Sequence, residues 1–267
     1  MGQSWGGYPA VSAALQHPRL FAAVVALEPF LVSDIKVALE DSKLGFASAT
    51  ALSMARRRDV WASRQEARKS LLRNPYYAAF DSDVFERVMQ FDLMPTGRGE
   101  EVTLVTPKAM EVVTMMRLKD SEKGKRWSDF TGNADQQLSR ISYRAEVGVI
   151  KSRLPEVRPP VLYVFGTKSI VGKHGYPEWL LKHTGTGEMG SGGVEKDMVN
   201  LVWIKGAGHP MPFEKPRETA EAMVPWIKKQ IRRWAEESET ENAQFYVTKI
   251  SPFWAERLEK LEKLEKL

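Results

Sequence analysis

No cysteine occurs among the 267 residues, which removes disulfides, thiolate zinc sites, iron–sulfur clusters and a cysteine nucleophile together. Long apolar runs are also lacking. The strongest, Leu20 to Val32, is interrupted by Glu28 and Pro29 and falls short of the ~20 residues of a membrane span. The opening Met1-Gly2-Gln3-Ser4 carries neither the basic segment nor the apolar core of a secretory leader. Charge of one sign is scarce: 39 basic residues stand against 34 acidic ones. The tightest basic run, Arg56-Arg57-Arg58, has no aromatic-interleaved or recognition-helix pattern beside it, so no nucleic-acid partner is expected. Phosphate-binding glycine loops and paired histidines at ligand spacing are missing too, and no cofactor or metal is expected. A cytoplasmic protein is the expectation. Peroxisomal import is the alternative, since Glu265-Lys266-Leu267 is similar to a Ser-Lys-Leu ending, though with glutamate for the small first residue.

What is present is an alternation of helix and buried strand. Pro9 to Gln16 has a helical pattern, and Phe21 to Leu27 is an unbroken apolar run closed by Glu28-Pro29. A second run, Val161 to Phe165, follows Pro159-Pro160 and stops at Gly166; a third, Val199 to Ile204, stops before Gly206. Continuous apolar strands flanked by helices imply a parallel sheet covered on both faces, hence the α/β class. Residues 33–154 carry no comparable strand signal. Ser63-Arg64-Gln65-Glu66 reads as a capping box, Asp81 or Ser82 as a cap for a helix to about Met89, and Thr106-Pro107 as the entry to a helix through Met116. This segment is therefore expected to be a helical insertion between core segments 1–32 and 155–240. Lys119 to Asp135 and Gly185 to Gly193 read as loops, and Lys215 to Trp234 as a long amphipathic helix. In the tail, 241–267, Leu258, Leu261, Leu264 and Leu267 recur every third residue. That period drifts about 60° per step on a helix, so no single apolar stripe forms and a solvated helix is expected.

Chemistry is concentrated at the start. Gly2-Gln3-Ser4-Trp5-Gly6 matches G-x-S-x-G, in which serine sits on a strained turn between strand and helix and small neighbours let the backbones approach. A serine nucleophile needs a base. Of the four histidines, His17 looks like a helix end and His174 and His183 lie in polar surroundings, whereas His209 lies in Gly206-Ala207-Gly208-His209-Pro210, just after the third strand.

The elbow, "QHPRLFAAVVALEP", "PPVLYVFGTK" and "GAGHPMPFEKP", in that order, resemble the C-terminal half of an α/β-hydrolase of the esterase and lipase type over residues 1 to about 235. Within that superfamily, the wording around Asp59-Val60-Trp61 and Val102-Thr103-Leu104 is similar to fungal hydrolases related to peroxisomal lipase and toxin-biosynthesis proteins. The resemblance implies a serine, acid, histidine order. Where most members place an aspartate, after the strand ending at Phe165, this chain has Ser169. Some relatives take the acid from the end of the strand after the nucleophile helix, which here is Glu28; both strand ends face one edge of the sheet. The expected triad is Ser4, His209 and Glu28, with Glu111 and Asp34 in reserve. The backbone N–H of Trp5 is the expected oxyanion donor. Acyl transfer on a small apolar carboxylic ester or thioester follows, with Trp61, Tyr76, Tyr77, Phe80, Met110 and Met115 expected to help line an acyl pocket.

Members of the superfamily carry roughly a hundred residues ahead of the nucleophile, including the strand that holds the elbow and a second oxyanion loop. The chain is therefore expected to be truncated, poorly stable or self-associating through an open sheet edge. A competing expectation is a non-catalytic remnant that acts as an interaction module.

Overall fold

The structure, a computed structural model, describes residues 1–31, 46–115, 145–245, 250 and 252–265. Asp34, the expected loop from Lys119 to Asp135 and the final Lys266-Leu267 lie outside the described residues. In chain order, β1 (Gly2–Gln3) passes through a 3-10 turn (Ser4–Gly6) into α1 (Gly7–Gln16), and a second turn (Pro18–Leu20) leads to β2 (Val24–Leu27). Next come α2 (Phe46–Arg56), β3 (Val60–Trp61), α3 (Arg64–Leu72), α4 (Pro75–Ala78) and α5 (Ser82–Phe91). They are followed by β4 (Leu93–Pro95), β5 (Val102–Leu104) and α6 (Lys108–Met115). The chain continues with α7 (Ala145–Arg153), β6 (Val161–Gly166), α8 (Tyr176–His183), β7 (Val199–Ile204) and the short α9 (Met211–Glu214), then α10 (Pro216–Phe245) and α11 (Pro252–Glu265).

Two compact units result, 1–224 and 225–267. The second begins at Pro225, inside α10. In that unit Leu258 and Leu261 on α11 are more than half exposed, as a three-residue leucine period requires on a 3.6-residue helix. Lys260 pairs with Glu256 one turn earlier at 2.7 Å.

The first unit is built on a four-stranded sheet of order β1-β2-β6-β7, every pair parallel. The α/β architecture expected from the apolar runs is the one observed. β2 and β6 are buried throughout because both faces are covered. Val11 and Ala14 of α1 join Val24, Ala26, Val161, Tyr163 and Phe165 in one apolar cluster. β2 is shorter than the apolar run that announces it. Val24 pairs with Val161, so residues 22 and 23 fall opposite Pro159 and Pro160 respectively, which have no N–H to extend the ladder.

The segment between β2 and β6 holds the expected helices and, beyond expectation, an antiparallel sheet of order β3-β5-β4. Ser63 caps α3 by accepting from the Glu66 N–H at 3.2 Å, while the Glu66 carboxylate reaches back to the Ala62 N–H at 2.8 Å. Asp81 caps α5 through the N–H groups of Asp83 and Val84. Trp61, Leu71, Phe85, Met89, Leu93 and Val102 close a second apolar core around the small sheet.

Two glycines fix the approach of strand to helix at the elbow. A Cβ on Gly2 would lie 2.1 Å from the Gly6 carbonyl oxygen, and one on Gly7 would lie 2.3 Å from the Pro29 Cβ, whereas Gly6 has open space. The motif's second glycine is thus not the one packing demands. Gly7→Ala is expected to cost about 2 kcal/mol or more by overpacking, whereas Gly6→Ala, at an ordinary helical φ, is expected to stay within about 1 kcal/mol of the parent. Urea unfolding of the two variants checks this; equal midpoints would mean that α1 shifts freely away from Pro29.

Candidate active site

The parallel register brings four strand ends to one edge of the sheet. Ser4 follows β1, Glu28 follows β2, Ser169 lies three residues past β6, and His209 lies five residues past β7. Among non-glycine residues, Ser4 (φ 53°) and Glu28 (φ 43°) both hold positive φ, a strained conformation that marks constrained sites. They are stitched together, because the Phe30 N–H donates to the Ser4 carbonyl at 3.2 Å.

Glu28 is completely buried, and a buried carboxylate is tolerated only with donors around it. Three are supplied. The Gly166 N–H donates to Oε1 at 2.8 Å, the Ser169 hydroxyl donates to Oε2 at 2.5 Å, and His209 Nδ1 meets the same Oε2 at 2.6 Å. The Ser169 oxygen in turn accepts from the Val171 N–H at 3.1 Å, which leaves its single proton for Glu28. Behind the carboxylate, the Tyr176 hydroxyl donates to the Pro29 carbonyl at 2.6 Å and accepts from the Leu31 N–H at 3.2 Å. Burial pushes that phenol's pKa well above its ordinary value.

The histidine loop is fastened to the neighbouring strand ends. Lys168 N–H donates to the Ala207 carbonyl, Gly206 N–H to Thr167 Oγ1, and Gly208 N–H to Glu214. Gly166 is required here, since a Cβ would stand 2.4 Å from the Ala207 carbonyl oxygen. Gln3 completes the fastening: its Nε2 donates to the His209 carbonyl at 2.9 Å, tying the elbow to the loop.

Ser4, Trp5 and His209 line one cavity of about 740 Å³, together with Tyr76, Tyr77 and Phe80. Trp5 stacks on Phe30 with centroids 4.8 Å apart. Phe80 stacks on Phe213 at 5.2 Å and the Asp81 N–H donates to the Phe213 carbonyl, so the residues before α5 dock beside the histidine loop. Two residues expected at the pocket are elsewhere. Trp61 is 1% exposed within the core of the small sheet, because β3 turns it away from the cavity, and Met110 faces solvent at 60% exposure on α6. Met115 ends α6, with its side chain outside the described ones. Of the reserve acids, Glu111 lies in the cavity wall but pairs with Arg57 at 2.5 Å. The other histidines are occupied structurally: His17 closes α1, His174 sits in a left-handed turn, and His183 Nδ1 meets the Trp179 carbonyl at 2.7 Å. Sequence reasoning missed Ser169 and Gln3. The signal for Ser169 was its place just past the closing glycine of a buried strand, where it was discounted for not being a carboxylate.

No family model matches the chain. Among curated proteins it is 27% identical to the type I acyl-CoA thioesterase mpaH of Penicillium brevicompactum, over 91% of this chain and 63% of the relative. It is 22% identical to the abhydrolase domain-containing protein ACTT2-1 of Alternaria alternata, over 86% of this chain and 82% of that one. Among solved structures, the peroxisomal α/β-hydrolase Lpx1 of Saccharomyces cerevisiae superposes with a TM-score of 0.60 at 15% identity, covering 94% of this chain and 63% of its own. The esterase Rv0045c of Mycobacterium tuberculosis gives 0.54 at 11% identity, covering 85% and 61%. The chain has the α/β-hydrolase fold of these solved structures and is similar in sequence to the thioesterases and abhydrolase-domain proteins. It spans about three fifths of the length of the thioesterases it matches.

Removing the Ser169 hydroxyl strips one donor from a buried carboxylate and one acceptor from the Val171 N–H. Ser169→Ala is therefore expected to lower unfolding stability by about 1–3 kcal/mol, with Ser169→Thr, which keeps the hydroxyl, losing less. Denaturant midpoints decide it; a parent-like midpoint in the alanine variant would show that Glu28 is held without the hydroxyl.

Proposed function

We propose that the chain is a serine hydrolase that cleaves carboxylic esters or thioesters through an acyl-enzyme. The observation that carries the reading is the 2.6 Å contact between His209 Nδ1 and buried Glu28, in a cavity that Ser4 lines from a strained turn. With Nδ1 donating to Glu28, the Nε2 lone pair is the basic one. In this reading Nε2 takes the Ser4 proton as Oγ bonds the acyl carbon. The collapsing intermediate expels an alcohol or thiol, which takes that proton from His209, and water then repeats the sequence to free the acid and restore Ser4. The Trp5 backbone N–H is assigned as one oxyanion donor, since it directly follows the nucleophile. In this reading residues 46–115 supply the cap over the acyl group, since Tyr76, Tyr77 and Phe80 line the cavity. The thioesterase names of the curated relatives support including thioesters among the substrates.

Labelling with a fluorophosphonate and hydrolysis of p-nitrophenyl acetate test this on the chain as it stands. Labelling is expected to disappear in Ser4→Ala, and Glu28→Gln is expected to lower kcat by about 10³-fold or more, through the wrong imidazole tautomer. Label retained in Ser4→Ala would remove Ser4 as nucleophile, and a parent protein that neither labels nor hydrolyses would favour the interaction-module reading instead.

A further inference from the structure

The wall of the cavity away from Ser4 is not an acyl-chain wall. A smaller cavity of about 130 Å³ adjoins the main one. The two share Arg57, Tyr77, Val88, Asp92 and Glu111, but the smaller one has none of Ser4, Trp5 and His209 in its lining. Those shared residues therefore form the end remote from the catalytic side chains. Here the Arg57 guanidinium pairs with Glu111 at 2.5 Å, with both side chains 26% exposed, and reaches the Tyr77 hydroxyl at 3.4 Å. Its Nε is buried without a hydrogen-bond partner, so the five donors of the guanidinium are only partly used. Burial raises the Tyr77 phenol and the Asp92 carboxyl above their ordinary values. The Tyr77 phenol is a protonated donor at neutral pH, as an ordinary phenol already is.

A plain alkyl chain laid over this end would strip water from a partly exposed ion pair and put nothing in its place, which is unfavourable. An anionic tail would meet Glu111 and Asp92, and a cationic tail would meet Arg57. An uncharged oxygen accepts from Arg57 and the Tyr77 phenol while opposing neither sign. Resting on the hydrolase reading above, we infer that the preferred acyl group is not a simple fatty chain. It carries an uncharged hydroxyl or carbonyl oxygen at its far end, which accepts from Arg57 and Tyr77, and where it is a hydroxyl its proton goes to Glu111. The aromatic side chains of Trp5, Phe80 and Phe213 cover the apolar body between that oxygen and the reacting carbonyl.

Hydrolysis of p-nitrophenyl octanoate, its ω-hydroxy and ω-carboxy counterparts, and p-nitrophenyl acetate tests the assignment on the parent chain. The ω-hydroxy ester is expected to exceed the octanoate in kcat/KM by about tenfold, and the ω-carboxy ester to be the poorest of the three long esters. Arg57→Met/Glu111→Leu removes the ion pair without stranding a charge, and is expected to bring the hydroxy-to-alkyl ratio to one or below. Tyr77→Phe, which keeps the ring, is expected to lower the ratio about threefold. An octanoate hydrolysed as well as its hydroxy counterpart, or an ω-carboxy ester preferred over both, overturns the assignment, as does a ratio unchanged in the double variant. Acetate turnover separates the two levels. If acetate is cleaved and the preference is absent, only this assignment fails; if no ester is cleaved, the hydrolase reading fails and takes the assignment with it.

Discussion

A carboxylate with no exposure to water has to be surrounded by donors, and the way Glu28 meets that demand organises the rest of the first unit. Its partners come from three separate stretches: the Gly166 N–H at the end of β6, the Ser169 hydroxyl in the loop beyond it, and His209 past β7. Only strands that run parallel and end level can deliver all three to one point. The β2–β6 and β6–β7 registers do so. The glycine at 166 then follows from crowding, because the His209 loop lies against the strand end where any side chain would strike the Ala207 carbonyl. Breaking one such contact in a dry environment costs more than the contact contributes, since the remaining charge keeps its desolvation penalty.

Strain and packing at the elbow belong to the same constraint. Ser4 and Glu28 both sit at positive φ and are joined through the Phe30 N–H, so neither turn relaxes without disturbing the other. Gly7 lets α1 close onto Pro29, immediately after Glu28. The Tyr176 hydroxyl holds the next two peptide groups from the far side. Backbone strain of this kind persists only where its surroundings over-determine it, and here α1, β6 and α8 each contribute a contact.

The core was legible in the sequence because its signals are long. A five-residue apolar run between Pro160 and Gly166 announced β6, a six-residue run ending before Gly206 announced β7, and capping residues announced α3 and α5. β3, β4 and β5 have two or three residues each, too few to show any period, so the small antiparallel sheet was invisible and Trp61 was assigned to a pocket instead of a core. The Glu28 and His209 pairing was reached through family resemblance and chain order. Its third member, Ser169, was passed over because a single sequence shows which residue stands at a strand end, not which neighbour its hydroxyl faces. The polar end of the cavity was missed for a related reason. Arg57, Tyr77, Asp92 and Glu111 are spread over 55 positions, and nothing in their local patterns points them at one another.

The way the histidine loop is held separates what has to be constant from what is free to differ. Gln3, Thr167, Lys168 and Glu214 bind that loop from the sheet edge and from the loop's own helix, and Glu28 fixes the ring. From the segment between β2 and β6 the described links are the Phe80 ring on Phe213 and the Asp81 N–H to the Phe213 carbonyl, four residues beyond His209. Most of the restraint on the imidazole thus originates in the parallel-sheet core, and Tyr77 at the remote end of the cavity packs on a separate apolar cluster around Trp61 and Phe85. Under the proposed hydrolase reading, changes to that cluster act on which acyl group fits before they act on the geometry of Glu28 and His209. That reading puts the chemistry on a rigid sheet edge and the selection on a separately packed segment, the physical arrangement by which one fold serves many substrates.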